Sequence, residues 1–293
     1  MFDYRLKVFH TVASRLSFTK ASEELNITQP AVTKHIKEIE NQLATKLFDR
    51  KGTSIQLTAA GEILFGYAEK IRNLYRDLEF EINQFNQEHK GKLIVGASTT
   101  VAQYVLPEIL ATFHSYYKDI KIELVTHNTE MISTLLKEGK IDVGIIEGES
   151  QSSYFEYHPF KADEIVLVAK AGHPLAHKNL HLKDLYHLDL IFREQGSGTQ
   201  EFIQNRLKEK GIQMEDLTVI MQLGSSESIK NYLLHSECMA FLSISTVLTE
   251  LKNNILSIVD IKNFSIERNF HYILPKGEQS ELIKLFLKHL SYN

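Results

Sequence analysis

Hydrophobic and polar positions alternate along this chain with two periods, which divide it into three parts. Up to residue 57 the apolar residues are spaced as in short amphipathic helices, and from residue 58 to about residue 87 they form one continuous helical stripe. Beyond residue 91, short apolar runs alternate with helical patterns, which is typical of an α/β domain built on a parallel sheet covered on both faces. We therefore predict domains at residues 1–57, 58–90 and 91–293.

Two short helices joined by a tight turn are predicted between Ser17 and Leu43. Thr19 is suited to cap the first helix and Asn26 to end it, whereas Thr28 is suited to cap the second, with Pro30 in its first turn. The spacing turns one apolar set inward: Val32, Ile36, Ile39 and Leu43.

The opposite face of this second helix carries Gln29, Ala31, Thr33, Lys34 and Lys37. Side chains of these types read base edges and bind phosphates. A small helical bundle with merely solvated lysines is the alternative for a generic helix pair of this kind.

The motifs F-T-K-A-S-E-E-L-N-I-T-Q-P-A-V-T-K-H-I and L-F-D-R…L-T-A-A-G decide between the two interpretations. Residues 2–61 resemble the winged helix-turn-helix of LysR-type transcriptional regulators. The resemblance implies that a recognition helix and a wing contact double-stranded promoter DNA. The resemblance implies six of the DNA contacts, and the helix pattern adds Lys37. The full predicted set is Thr28, Gln29, Pro30, Thr33, Lys34, Lys37 and Arg50.

Composition adds two constraints. The whole chain has a net charge of −4, but residues 1–57 hold nine Lys/Arg and six Asp/Glu, so this part is +3 and the rest −7. A basic N-terminal part on an acidic body fits a DNA reader whose second part has another task. No apolar stretch is long enough for a membrane span and the N-terminus lacks the features of a signal peptide. We therefore expect a cytoplasmic protein without a membrane partner.

A heptad-like stripe runs along the predicted helix from Thr58 to about Gln87. Such a rod, about 45 Å long at 1.5 Å per residue, exceeds what a domain of sixty residues can cover. Dimerisation is therefore favoured over packing against its own domain, and the resemblance implies the same. The predicted dimer contacts are Leu64, Ala68, Ile71, Tyr75, Leu78, Ile82 and Phe85.

In the last two hundred residues, we expect an α/β domain with two similar lobes and a cleft between them. Lobe I comprises about 91–162 and 267–293, and lobe II about 163–266, with crossings near Lys161–Ile165 and Ile266–Phe270. Ligands of such folds bind beyond the carboxyl ends of the strands. In this sequence those ends are rich in hydroxyl groups and each precedes a predicted helix, such as the one over Val101–Tyr117.

Each hydroxyl-rich loop taken alone is suited to cap its helix. Four such loops at one cleft favour a site for a carboxylate, sulfate or phosphate, because helix N-termini offer free N–H groups. Arg193 is the nearest fixed cation, and Glu147 can accept hydrogen bonds from a hydroxyl or an amine. The predicted effector contacts are Ser98, Thr99, Thr100, Asn128, Thr129, Glu147, Arg193, Gln195, Gly196, Ser197, Gly198, Thr199, Ser225 and Ser226.

This half also carries G-H-P-L-A at residues 172–176 and L-I-F-R-E-Q-G-S-G-T at residues 190–199. It resembles the effector-binding domain of the same regulators, which implies a periplasmic-binding-protein-like fold. The second motif is similar to the branch that controls sulfur assimilation and carbon fixation. The resemblance implies a small polar, anionic metabolite as effector.

Other chemistry is poorly supported. His173, His177, His181 and His187 have suggestive spacing, but Pro174 interrupts any helix that would align them, so we predict no metal or other cofactor. The G-x-S-x-G motif of hydrolases is absent, so we predict no catalytic residue. Cys238 lies in an apolar run and is predicted to be a buried structural thiol.

The favoured function is a DNA-binding regulator that acts as a homodimer or homotetramer and responds to an unidentified small molecule, with RNA polymerase as a further partner. One alternative is a two-lobed solute-binding or enzymatic protein whose N-terminal helices serve assembly. Another is an architectural DNA binder with an empty cleft. DNA binding separates the first function from the second, and stabilisation by a ligand separates it from the third.

Overall fold

The computed structural model describes residues 3–51, 54–86, 88–148, 151–176 and 178–291, without the side chains of residues 50, 51 and 54. The chain divides into two compact units, residues 1–91 with 138–140, and residues 92–137 with 141–293. In the described ranges, no helix has the length and apolar character needed to cross a membrane.

The N-terminal unit contains three short helices, a two-stranded hairpin and one long helix. Their bounds are α1 (Tyr4–Arg15), α2 (Phe18–Leu25), α3 (Gln29–Gln42), β1 (Phe48–Lys51), β2 (Ser54–Leu57) and α4 (Ala59–Phe85). Phe9, Val12, Ala21 and Val32 are fully buried and join the helices in one core. Strands β1 and β2 pair antiparallel. This arrangement of helices and hairpin is the predicted winged helix-turn-helix.

Local side chains explain where the paired helices begin and end. Asn26 ends α2 in the left-handed conformation (φ 52°), and the Thr28 hydroxyl accepts a hydrogen bond from the N–H of Ala31 at the start of α3. The prediction that Thr19 caps α2 is wrong. Ser17 takes that role by accepting from the N–H of Lys20, so the helix begins one residue before Thr19.

The inward face of α3 is confirmed for Val32, Ile36 and Ile39, which are 9% exposed or less. The prediction for Leu43 is wrong, because it follows the last turn of the helix and is 48% exposed. A periodic pattern does not reveal that the helix has already ended.

The long helix α4 turns part of its stripe toward its own domain. Ala68 is completely buried and Leu64 packs against the same core. Ala68 is therefore not available to a partner subunit, which corrects one of the seven predicted dimer contacts, whereas Leu64 is only partly buried and its contact stays a prediction. Apolar residues toward the C-terminal end of the helix remain exposed: Leu74, Leu78, Ile82 and Phe85.

The remaining elements alternate strands and helices. They are β3 (Gly91–Ser98), α5 (Thr99–Tyr104), α6 (Leu106–Tyr116), β4 (Ile120–His127), α7 (Thr129–Lys137), β5 (Val143–Ile146), β6 (Phe155–Lys170), β7 (Leu190–Arg193), α8 (Gly198–Glu209), β8 (Val219–Leu223), α9 (Ser226–Leu234), β9 (Met239–Ser243), α10 (Ile244–Lys252), β10 (Leu256–Ile258), β11 (Ile266–Pro275) and α11 (Glu281–Leu290). Single 3-10 turns cover Leu182–His187 and Met214–Asp216.

One sheet runs through this unit in the order β4-β3-β5-β11-β6-β9-β7-β8, and β10 pairs with β6. Here we call β3–β5 with α5–α7 the first half, and β7–β9 with α8–α10 the second half. Strands pair parallel within each half, as in β3 with β5 and β7 with β9. The expectation of an all-parallel sheet is wrong at the centre. There β6 and β11 pair antiparallel with each other and with their outer neighbours.

The central pair carries the chain between the halves. Ile266 pairs with Ile165 and Phe270 with Lys161. The two segments predicted as crossings, Lys161–Ile165 and Ile266–Phe270, therefore lie side by side. The single helix predicted over Val101–Tyr117 is instead two helices that meet at Val105. Pro107 explains the break, because proline has no N–H to donate and its ring clashes with the preceding turn of a continuous helix.

Candidate functional site

The exposed face of α3 is the first candidate site. Thr28, Gln29, Pro30, Lys34 and Lys37 are exposed. Four of these residues line an open surface depression together with Thr33, Glu38 and Asn41, namely Gln29, Pro30, Lys34 and Lys37. A convex helix that presents an amide and two ammonium groups has the shape and the chemistry required to enter a DNA major groove.

Two further predicted contacts differ from this set. Thr33 is half-buried and its hydroxyl donates to the carbonyl oxygen of Gln29 at 3.0 Å, so it reinforces the start of the helix. Arg50 lies in β1 opposite Ile55, and its side chain is outside the described residues.

Sequence inspection missed Glu40, which ties the recognition helix to the wing. Its carboxylate is buried and accepts hydrogen bonds from the N–H of Leu47 and the ammonium of Lys46, each at 2.9 Å. Burial alone would raise the pKa of Glu40, but these hydrogen bonds outweigh it and hold the pKa below its usual value. The only available signal was a charged residue on the apolar side of an amphipathic helix.

In the second unit, the four predicted loops do begin helices, and their side chains cap them. Ser98 caps α5, Ser197 caps α8 and Ser225 caps α9, each by accepting from a backbone N–H three residues later. Asn128 accepts from the N–H of Met131 at 3.0 Å in α7. Capping therefore accounts for one hydrogen bond of each of these four polar side chains.

The loops of the two halves also contact one another. The guanidinium of Arg193, at the end of β7, donates to the hydroxyl of Thr99 at 2.9 Å and to the carbonyl of Gly224 at 3.4 Å. Asn128 donates to the carbonyl of Gln195 at 3.4 Å. The structure therefore brings together loops that are distant in sequence at the ends of the strands, where ligands of α/β sheets bind.

Glycine at two positions permits this close approach. Gly196 has φ +84°, and its carbonyl accepts from the N–H of Glu130, so one N–H at the start of α7 is already satisfied by the other half. A Cβ atom on Gly198 would lie 1.9 Å from the carbonyl oxygen of Glu147. Any side chain at residue 198 would therefore force the halves apart.

Glu147 lies at the junction of the two halves and is 1% exposed. Its carboxylate accepts a short hydrogen bond from the hydroxyl of Ser98 and another, at 3.1 Å, from Thr199. The hydroxyl of Thr129 donates to the Glu147 carbonyl at 2.7 Å. Hydroxyl groups from three loops are thus satisfied by Glu147.

A second buried arginine was missed by sequence inspection. Arg268, on β11, donates to Asp163 on β6 at 2.7 Å and to the hydroxyl of Thr199 at 3.0 Å. Both charged side chains are completely buried, and Asp163 also accepts from Ser243 and Ser245. The two partners are 105 residues apart. Arg268 is therefore a second fixed cation at this site beside Arg193, which was not predicted from the sequence.

Two hydrogen-bonded groups meet in sequence at Ser98 and Thr99: one is Arg193 with Thr99, and the other joins Ser98, Glu147, Thr199, Arg268 and Asp163. We call these two groups, with the neighbouring Thr100, the buried polar cluster. Three of its buried atoms have no hydrogen-bond partner within the described residues, namely Nη1 of Arg193, Nη2 of Arg268 and Oγ1 of Thr100. The carboxylate of Glu194 forms a pair with Arg193 through Nε and Nη2, which leaves Nη1 available. Unpartnered buried donors favour binding of an anion.

The other predicted effector residues lie beside this cluster. Thr129, Gln195, Gly196 and Ser197 line an adjoining cavity of about 600 Å³ between α7 and α8. Ser225 and Ser226 begin α9 directly after Gly224. The structure thus separates the predicted residues into a buried cluster, an open cavity and a helix start.

The residues considered for metal binding have other surroundings. His173 accepts from the N–H of Leu175 at 3.1 Å, and His181 precedes a 3-10 turn whose Asp184 accepts from its N–H. His177 is outside the described residues. In the described part of the chain, no three His, Cys, Asp or Glu residues group as metal ligands would. Cys238 is a buried free thiol, as predicted.

Family models match both parts of the chain. The family model of the bacterial regulatory helix-turn-helix protein, lysR family, matches residues 4–62, and that of the LysR substrate binding domain matches residues 86–292. The chain is 32% identical over 290 residues to the HTH-type transcriptional regulator CysL of Bacillus subtilis (strain 168), which covers 98% of this chain and 96% of that protein.

Two further similarities are to proteins of Synechocystis. A probable RuBisCO transcriptional regulator of Synechocystis sp. (strain ATCC 27184 / PCC 6803 / Kazusa) is 33% identical over 291 residues, covering 98% of this chain and 84% of that protein. The structure of the Synechocystis PCC6803 CcmR regulatory domain in complex with 2-PG covers 69% of this chain and 96% of that chain, with 30% identity and a TM-score of 0.63. These similarities confirm the predicted regulator family, its sulfur and carbon-fixation branch, and the predicted fold class.

Proposed function

Because this chain belongs to the LysR family of transcriptional regulators, we propose that its buried polar cluster binds the small anionic effector that controls how paired α3 helices engage promoter DNA. The proposal gives the cluster a binding role and no catalytic one. Effector binding changes the relation of the two halves about β6 and β11, and the dimer converts this change into a different spacing of its recognition helices.

The observation that carries this proposal is the set of unpartnered donors on Arg193, Arg268 and Thr100. Leaving a buried polar group without a partner costs about 1–3 kcal/mol, and more when the group is charged. A carboxylate, sulfate or phosphate oxygen accepts from such donors and removes this penalty. Anion binding is then favoured because it removes a free-energy cost that the ligand-free protein already carries.

The net charge of the cluster agrees with this ligand class. Arg193 is paired with Glu194, and Arg268 with Asp163, while Glu147 is held by hydroxyl groups. Two arginines against three carboxylates give a formal charge of −1, so an anion is bound here through directed N–H and O–H donors and not through net charge, which suits a small anion with few charges rather than a polyanion. The CcmR regulatory domain in complex with 2-PG supports the choice of 2-PG as a first probe.

Assembly is the second part of the proposal. We assign dimer formation to the exposed apolar residues of α4 (Leu74, Leu78, Ile82 and Phe85) and to the half-buried Ile71 and Tyr75. We propose functional domains at 1–57, 58–90 and 91–293, with the predicted DNA contacts on α3 and the wing. A homotetramer and an interaction with RNA polymerase extend the same proposal.

Replacing Thr100 by valine tests the effector site. The substitution conserves shape and removes a buried hydroxyl that has no partner, so the thermal stability of the ligand-free protein should stay unchanged or rise. Affinity for the anion should fall by up to about tenfold, since one hydrogen bond contributes about 0.5–1.5 kcal/mol. Calorimetry of the full-length variant with 2-PG, sulfate and phosphate provides both comparisons.

The matched control is Thr11→Val. Thr11 is buried as well, but its hydroxyl donates to the carbonyl of Lys7 at 3.0 Å. This variant should lose stability and keep the affinity for the anion. If Thr100→Val binds every probe as tightly as the wild type does, the buried polar cluster is not the effector site.

A further inference from the structure

Outside the proposed effector site, α9 carries a buried lysine. Lys230 is 6% exposed. Its ammonium nitrogen lies 2.7 Å from Glu227, 2.7 Å from Glu250 and 3.0 Å from the carbonyl oxygen of Thr246. Lysine is almost never buried unless its charge is paired. The three oxygen atoms supply that pairing.

A tyrosine from the first half completes this group. The hydroxyl of Tyr104 donates to the carboxylate of Glu227, and the Lys230 ammonium lies 5.0 Å from the centre of the Tyr104 ring. Tyr104 is the last residue of α5, whereas Glu227 and Lys230 are on α9. This group therefore joins the two halves by a charge-assisted hydrogen bond and a cation–π contact.

The protonation states keep these contacts in place. Burial and the hydrogen bond to Glu227 raise the pKa of Tyr104 to about 12, so its hydroxyl keeps the proton that it donates. Burial alone would lower the pKa of Lys230, but its hydrogen bonds to Glu227 and Glu250 outweigh burial and raise the pKa. Burial alone would raise the pKa of Glu227, but Lys230 and Tyr104 lower it. At neutral pH all three groups are in the required state.

The same two segments meet at Arg193. Thr99, the first residue of α5, accepts one hydrogen bond from the guanidinium, and Gly224, directly before the cap of α9, accepts another. The position of α5 against α9 therefore decides where both acceptors stand around Arg193. Tyr104 and Glu227 fix that position from the far end of α5.

We infer that Tyr104, Glu227 and Lys230 form a latch that positions α5 and α9 around Arg193 and thereby sets the affinity of the effector site. The three act as positioning residues. A site whose donors are held in place before binding loses less conformational entropy on binding, so it binds more tightly. The inference rests on the proposed function, because anion binding at the buried polar cluster is its main readout.

The test is Tyr104→Phe in the full-length protein, which keeps the ring over Lys230 and removes only the hydroxyl. Calorimetry with 2-PG, sulfate and phosphate, performed well below the melting temperature, should show about tenfold weaker binding of the probe that the wild type binds best. Glu227→Gln should weaken binding similarly, and the double variant should lose little more than either single variant. A purely structural role would not produce this coupling in ligand affinity.

Tyr116→Phe is the control, because Tyr116 is 71% exposed on α6, and it should bind the probe as the wild type does. Hydrogen exchange on the ligand-free proteins supplies a second readout. Amides of residues 99–104 and 225–231 should exchange faster in Tyr104→Phe than in wild type, whereas those of α11 should not.

The outcomes separate the two proposals. Wild-type affinity in Tyr104→Phe overturns the latch and leaves the effector site standing. Unchanged exchange of both segments in Tyr104→Phe also overturns it. If no probe binds the wild type, the proposed ligand class fails, and faster exchange in Tyr104→Phe then supports only the positioning of α5 and α9.

Discussion

Replacing both Leu78 and Ile82 by glutamate is expected to dissociate the dimer that we propose forms through α4. Leu78 is 45% exposed and Ile82 is 54% exposed, so both substitutions fit the isolated helix. In the dimer, however, they place like charges in an apolar contact, which is strongly unfavourable. DNA affinity should fall by about a hundredfold or more, because two linked recognition helices bind far more tightly than one. Light scattering and DNA titration measure the two effects.

The control for this variant is Lys70→Glu with Gln84→Glu, since both residues are exposed on the same helix. This control variant gains at least as much negative charge as the Leu78→Glu/Ile82→Glu variant, but outside the exposed apolar residues. The control should therefore keep the mass and most of the DNA affinity of the wild type. A Leu78→Glu/Ile82→Glu protein that retains its mass and its DNA affinity would show that these residues do not hold the subunits together.

On α3, Gln29 and Lys34 are expected to contribute to DNA binding in different ways. Gln29→Ala removes a side chain able to read a base edge and should relax sequence preference by about 1–3 kcal/mol. Lys34→Ala removes a phosphate contact and should weaken binding to all duplexes, with the slope of affinity against salt reduced by about one unit. Competition titrations against a selected duplex and a scrambled duplex, at several salt concentrations, separate these effects.

Gln42 and Lys118 supply matched controls. Gln42 is an exposed glutamine in the last turn of the same helix, and Lys118 is an exposed lysine of the second unit. Alanine at either position should change neither selectivity nor the salt slope. Wild-type selectivity in Gln29→Ala would remove Gln29 from the readout of sequence.

Local chemistry predicted the recognition helix well. Thr28 caps the helix and Pro30 lies in its first turn, so both roles depend only on neighbouring backbone. Val32 and Ile36 are buried on the face that the helical period of apolar residues defines. The errors occur where another local signal competes. Ser17 and Thr19 are both good caps, and only the structure shows that the earlier residue begins α2.

Tertiary contacts were harder to predict. The pattern of α4 is uniform along the helix, and nothing in it marks Ala68 as part of the domain core. Arg268 and Asp163 form the central ion pair of the cluster across two long strands. Each looks like an ordinary surface charge in the sequence, because a pairing between residues 163 and 268 leaves no local pattern.

The hydroxyl-rich loops show what a sequence reveals about a site. Their positions at strand ends predicted that they meet, and Arg193 with Thr99 shows that they do. The sequence did not show that Glu147 already engages Ser98 and Thr199. Among the described buried side chains of the cluster, the donors without a partner lie on two arginines and on Thr100.

The coupling between effector and DNA tests the central claim most directly. The affinity of the full-length protein for a duplex selected from a random library should be measured with and without the anion that stabilises it, and the affinity for the anion with and without the duplex. The two ratios should be equal and differ from one, typically by about 5–150-fold, and the ratio should shrink in Thr100→Val at the same anion concentration. Identical DNA affinity with and without an anion that saturates the cluster would contradict the account.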